Sequence, residues 1–92
     1  MRPEDWVQGP VLQVIDGDSF VMQVEIVGEA NDYPYNPTER IRLDTSAPAL
    51  GTEAGEEAKK KLEAQIAGKN VRCYVKSRDE QGDLLCDVTV VD

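Results

Sequence analysis

Asp16 and Asp18, set either side of Gly17 in VIDGDSF, are the first residues of this chain whose type and spacing suit chemistry. Carboxylates placed this way either shape a tight turn or offer hard oxygen donors to a metal cation. An Asp-Gly pair between strand-like runs signals a two-residue turn, because such turns need positive φ and Gly17 supplies it without steric cost. That accounts for Asp16 and Gly17 and leaves Asp18 over. A second group follows in TERIRLD, where Arg40 and Arg42 share one face of a strand and carry planar guanidinium forks suited to phosphate or to carboxylates. Histidine is absent, which excludes Cys-His zinc sites and Ser-His or Cys-His catalysis. Chemistry here rests on carboxylates, hydroxyls, lysine or arginine.

The elements that must position these groups come from 92 residues, enough for one domain over residues 1–92 with a single small core. Apolar residues alternate before and after Asp16-Gly17 (Val11, Val14; Phe20, Met22, Val24, Ile26), which predicts two strands over 7–16 and 19–27. GEANDYPYNP, Gly28 to Pro37, is rich in turn formers and reads as a long loop. Its length and its Tyr33 and Tyr35 have no role in closing a sheet, so it is expected to face a partner. A third strand runs over Thr38 to Asp44.

Pro48 and Gly51 then break the pattern, and Thr52 is positioned to cap a helix over Glu53 to Ala67. Early glutamates suit the helix dipole, Ala54, Ala58, Leu62 and Ile66 with Gln65 form its apolar stripe, Lys59 to Lys61 its wet face, and Gly68 its end. KNVRCYVKS and DLLCDVTVVD are two more strands about the turn RDEQG. The order β-β-β-α-β-β predicts a mainly β fold, a five-stranded OB-type barrel with one helix.

Eighteen acidic against ten basic residues leave a net charge of −8, whose average field repels polyanions. No run approaches the roughly 20 apolar residues of a membrane span, and the N-terminus has no signal-peptide-like apolar stretch, so a cytoplasmic chain is expected. Cys73 and Cys86 flank a turn and are read as free, partly buried thiols in preference to a disulfide.

The motifs resemble the staphylococcal-nuclease-like (thermonuclease) domain family. VIDGDSF is similar to the family's Ile-Asp-Gly-Asp-Thr/Ser turn, and RLDTSAPALGTEAGEEAKKKLEAQIAGKNVRCYV to its Arg-Leu strand, Pro-Glu segment, helix and following strand. The likeness covers Val11 to Val91. It implies a nuclease that cuts phosphodiesters with calcium held by two aspartates and a threonine carbonyl, a glutamate that activates water and two arginines on the phosphate. Asp18 matches the first metal aspartate. The second falls on Ser46 counted back from Pro48, while Asp44 with Thr45 stands near when counted forward from Arg42-Leu43. The candidate calcium site is therefore Asp18, Asp44 and Thr45, and the family's strand arginine is Arg42, with Arg40 as the alternative.

Two expected groups are missing. Ala49 stands where the base glutamate should follow the proline, and Asp83, in QGD, stands where the second arginine should be. Alanine cannot activate water, and aspartate repels phosphate. The loop between the second and third strands is long for the family, and the sequence ends where the family fold normally adds helices. Asp18 and Asp44 also read as solvated carboxylates, and Arg40 and Arg42 as partners of acidic neighbours. Trp6, Phe20, Tyr33 and Tyr35 suit base stacking or anchoring of core and loop. The resulting expectation is a nuclease-like barrel with a degenerate site, a non-catalytic binding or scaffold module for protein or nucleic acid. It needs no cofactor, and calcium only where the metal site survives. The alternative is a calcium-dependent phosphodiesterase with a rearranged site.

Overall fold

The computed structural model describes residues 5–29, 31, 35–43, 51–79 and 82–91. Its elements are β1 (Asp5–Asp16), β2 (Ser19–Gln23), β3 (Ile26–Val27), β4 (Thr38–Leu43), α1 (Glu53–Ile66), β5 (Asn70–Arg78) and β6 (Leu84–Val90). The long β1 serves two neighbours in turn. Its first half pairs with β5, Asp5 opposite Val75 through Pro10 opposite Asn70, and its second half pairs with β2. With β2 on β4, β4 on β6 and β6 on β5, the sheet closes through β1-β2-β4-β6-β5. Only the β4–β6 pairing is parallel among these strands. This is the expected five-stranded OB-type barrel with one helix, and β3 is an extra strand on its flank.

That extra strand corrects the sequence reading, which ran one strand from 19 to 27. After Gln23 the chain changes partners: Val24 N–H donates to Pro37 O at 2.7 Å, and Glu25 N–H to Gln8 O at 2.9 Å. β3 then lies on β1, Val27 opposite Val7. Periodicity carries no record of such an exchange, because alternation continues through it. Where the chain crosses, Gly9 meets the Gln23 carbonyl so closely that a Cβ on Gly9 would overlap it. A register shift between Val11 and Gln13 marks a bulge in β1 and turns Leu12 outward, 54% exposed.

Alternate inward residues build the core: Val7, Val11 and Val14 from β1, Phe20 and Met22 from β2, Ile41 from β4, Val71 and Cys73 from β5, Leu84 and Cys86 from β6. The helix contributes Leu62 and Ile66 and lies against β1. Burying each is worth about 1.5–3 kcal/mol. The apolar stripe is shorter than expected, since Ala54 and Gln65 are exposed and Ala58 is half-buried, while Gly55 is buried in the first turn. The caps follow the sequence: Thr52 Oγ1 accepts from Gly55 N–H at 3.0 Å, and Gly68 leaves the helix at φ 73°. Cys73 and Cys86 are free, buried thiols.

Candidate functional site: the β1–β2 turn and the β4 arginines

The turn is one residue later than the Asp16-Gly17 signal implied. Asp16 pairs with Ser19, so Gly17 and Asp18 form the loop. Gly17 is not among the glycines with positive φ, which are Gly51, Gly68 and Gly82. The turn is instead secured by the Asp16 carboxylate, which accepts from Asp18 N–H at 3.1 Å and from Ser19 Oγ at 2.7 Å. Partial burial works against the charged form of Asp16, but a hydrogen bond with the Asp18 side chain, those from Ser19 Oγ and Asp18 N–H, and the nearby Arg42 charge outweigh it and hold the carboxyl below its ordinary range.

A prediction follows for this turn. Asp16→Ala should cost about 1–2 kcal/mol near neutral pH, because two donors lose a charged acceptor. The depressed folded pKa makes this contribution complete above the unfolded Asp value of about 3.9 and lost as pH falls through the folded value. Urea melts of parent and Asp16→Ala should therefore converge in acid; a gap constant with pH would contradict the role given to the carboxylate.

Asp18 contributes its carbonyl to the neighbouring strand, accepting from Leu43 N–H at 2.7 Å. With Ser19 opposite Arg42 in the β2–β4 register, Asp16, Asp18 and Arg42 share one corner of the barrel. Of the residues expected to hold calcium, Asp18 is described, whereas Asp44 and Thr45 lie outside the described residues, as do Ser46, Pro48 and Ala49. Among the described residues, no group of three or more His, Cys, Asp or Glu side chains is placed to hold a metal.

Arg40 and Arg42 both point outward on β4, as the strand period requires. Arg40 Nε lies 3.4 Å from Asp83 Oδ2, with the arginine side chain half exposed and the aspartate 8% exposed. Asp83 is fixed by its hairpin: its N–H donates to Asp79 Oδ1 at 2.9 Å, its carbonyl accepts from Asp79 N–H at 2.9 Å, and Gly82 turns the chain at φ 89°. Asp83 is thus held against Arg40, one of the two candidate arginines.

Beneath this surface lies a carboxylate the sequence reading passed over. Glu39 is 4% exposed, and its Oε2 accepts from Asn36 N–H at 3.0 Å and pairs with Arg78 Nη2 at 3.4 Å. Its signal was present, since Glu39 has the same strand parity as Ile41 and Leu43. Arg78 also donates from Nη1 to Gly82 O at 3.0 Å, which links Glu39 to the β5–β6 hairpin. Two described residues between β3 and β4, Asn31 and Tyr35, are tied down as well. Tyr35 packs on the core and donates its hydroxyl to Asp5 Oδ2 at 2.8 Å, and burial and the Asp5 carboxylate push its pKa up. Asn31 brackets Trp6, accepting from its N–H at 3.0 Å and donating to its carbonyl at 2.9 Å. Tyr35 is therefore an anchor of the loop; Tyr33 lies outside the described residues. Trp6 carries the Arg72 guanidinium 4.2 Å above its ring centroid, and Phe20 is fully buried.

Among the described residues, no helix is long and apolar enough to cross a membrane. No family model matches the chain, and no curated protein matches its sequence.

Proposed function

We propose that this chain is a nuclease-like OB barrel whose water-activating glutamate and one phosphate-binding arginine have been replaced, and that it serves as a non-catalytic module binding a protein partner. The observation that carries this reading is the Arg40–Asp83 pair. A phosphate approaching Arg40 meets the largely buried carboxylate already paired with it, and poorly solvated like charges repel strongly. The replacement of the base glutamate by Ala49 removes the means of activating water. A net charge of −8 favours a protein over a nucleic acid as partner.

A second reading, a calcium-dependent phosphodiesterase with a rearranged site, has its own support. The Leu43–Asp18 backbone bond and the Ser19–Arg42 register bring the metal-type aspartate and an outward arginine to one corner. In that reading Asp18, Asp44 and Thr45 would supply hard oxygen ligands to calcium, and the ion would polarise the phosphate.

Asp83→Asn separates the two readings. Measured by fluorescence anisotropy of a short single-stranded oligonucleotide at low salt, the parent should bind at most weakly. Asp83→Asn should bind about three- to tenfold more tightly, with a steeper salt dependence, because one repulsive charge is gone and Arg40 is released. Tight binding by the parent that calcium strengthens and Asp83→Asn leaves unchanged would support the phosphodiesterase reading instead.

A further inference from the structure

We propose that the free edge of β3 is a docking site for an extended, lysine- or arginine-bearing segment of a protein partner, which joins the sheet there as a further strand. β3 ends the strand order β2-β4-β6-β5-β1-β3, and among the described residues β1 is its one strand neighbour. Gly28 N–H donates to Trp6 O at 3.0 Å, with Val27 opposite Val7. Backbone groups alternate along an antiparallel ladder, so the N–H and C=O of Val27 point away from β1. The side chains are open too: Ile26 is 50% and Val27 49% exposed. Such an edge is a template for another chain, which gains main-chain hydrogen bonds and a place for its side chains.

The edge is already held in strand form. Before it, Glu25 N–H donates to Gln8 O at 2.9 Å, and after it Asn31 N–H donates to Gly28 O at 3.2 Å. Little ordering of the edge is left for a partner to impose. Charge then selects the partner. Glu25 and Glu29 flank Ile26-Val27, both exposed and neither in an ion pair among the described residues. A second copy would bring the same glutamates against these, and like charges across a strand pair are destabilising. A basic segment is attracted instead, and the net charge of −8 speeds its encounter. Such a partner belongs to the reading of this chain as a protein-binding module, on which the proposal rests.

The test is fluorescence anisotropy of a short labelled peptide of alternating lysine and valine, compared with one of lysine and serine that carries the same charge. The parent should bind the valine peptide at least about tenfold more tightly, because serine supplies neither strand propensity nor an apolar face. Val27→Pro removes the outward N–H and leaves the Glu25 and Gly28 bonds to β1, and should weaken binding about tenfold. Glu25→Lys with Glu29→Lys should weaken it by about tenfold or more. Glu57→Lys with Glu63→Lys, exposed on α1, changes the net charge equally and should cost no more than about threefold. Equal binding of the two peptides, parent-like binding by folded Val27→Pro, or equal loss from the two lysine pairs overturns the proposal. So does a parent that sediments as a dimer which Val27→Pro dissociates. If Val27→Pro does not fold, the lysine pairs decide. None of these outcomes touches the absence of cleavage, so the edge and the non-catalytic reading fail separately.

Discussion

Gly9→Ala should destabilise the barrel by about 3 kcal/mol or more, lowering the melting temperature by roughly 12–24 °C for a domain of this size. The methyl group would occupy the place of the Gln23 carbonyl oxygen, and C and N atoms of the same crossing chain stand immediately behind it. Backbone there cannot yield without disturbing the change of partners at Val24 and Glu25, through which the chain leaves β2 for β3. Gly68→Ala is the fitting comparison. Nothing stands within 4 Å of its would-be Cβ, and only its φ of 73° resists the change, so about 1 kcal/mol is expected. Thermal melts of both variants measure the contrast. A Gly9→Ala protein that melts within a few degrees of the parent would remove the close crossing from the account.

Glu39→Ala should cost about 2–3 kcal/mol, more than an exposed ion pair, because its carboxylate is enclosed and serves two donors. Asn36 N–H and Arg78 lose their shared acceptor, and Arg78 is itself only 26% exposed. The loop leading into β4 and the β5–β6 hairpin should loosen together. Glu39→Gln keeps a neutral acceptor of the same shape and should lose about half as much. Urea melts at low and high salt decide it. A cost that vanishes at high salt would mean a solvated pair rather than an enclosed one.

Much of this architecture was legible in the residues. Alternation marked the barrel strands, Thr52 and Gly68 bracketed the helix, and the Asp-Gly signal located the first hairpin to within a residue. What was not legible depended on distant partners. Asp-Gly implied a turn built on positive φ, but the Asp16 carboxylate found Asp18 N–H and Ser19 Oγ and closed a different one. The break after Gln23 reflects a competition between β4 and β1 for the same strand, which no local pattern records. Glu39 was readable from strand parity, yet its burial depends on Arg78, far along the chain, lying beside it. At the candidate site the sequence supplied the identity of Asp83 and the structure supplied its neighbour. That neighbour is Arg40, which the Asp83 carboxylate meets at 3.4 Å.

The central claim is that this barrel binds without cutting, and cleavage itself tests it most directly. Labelled single-stranded DNA and RNA are incubated with excess protein, with calcium and again with chelator, and read for shortened products. In the proposed reading a missing general base and a missing phosphate clamp each remove a rate factor on the order of 100 or more, so the account predicts product indistinguishable from a buffer blank in every arm. Calcium-dependent cleavage that disappears in Asp18→Ala would contradict it.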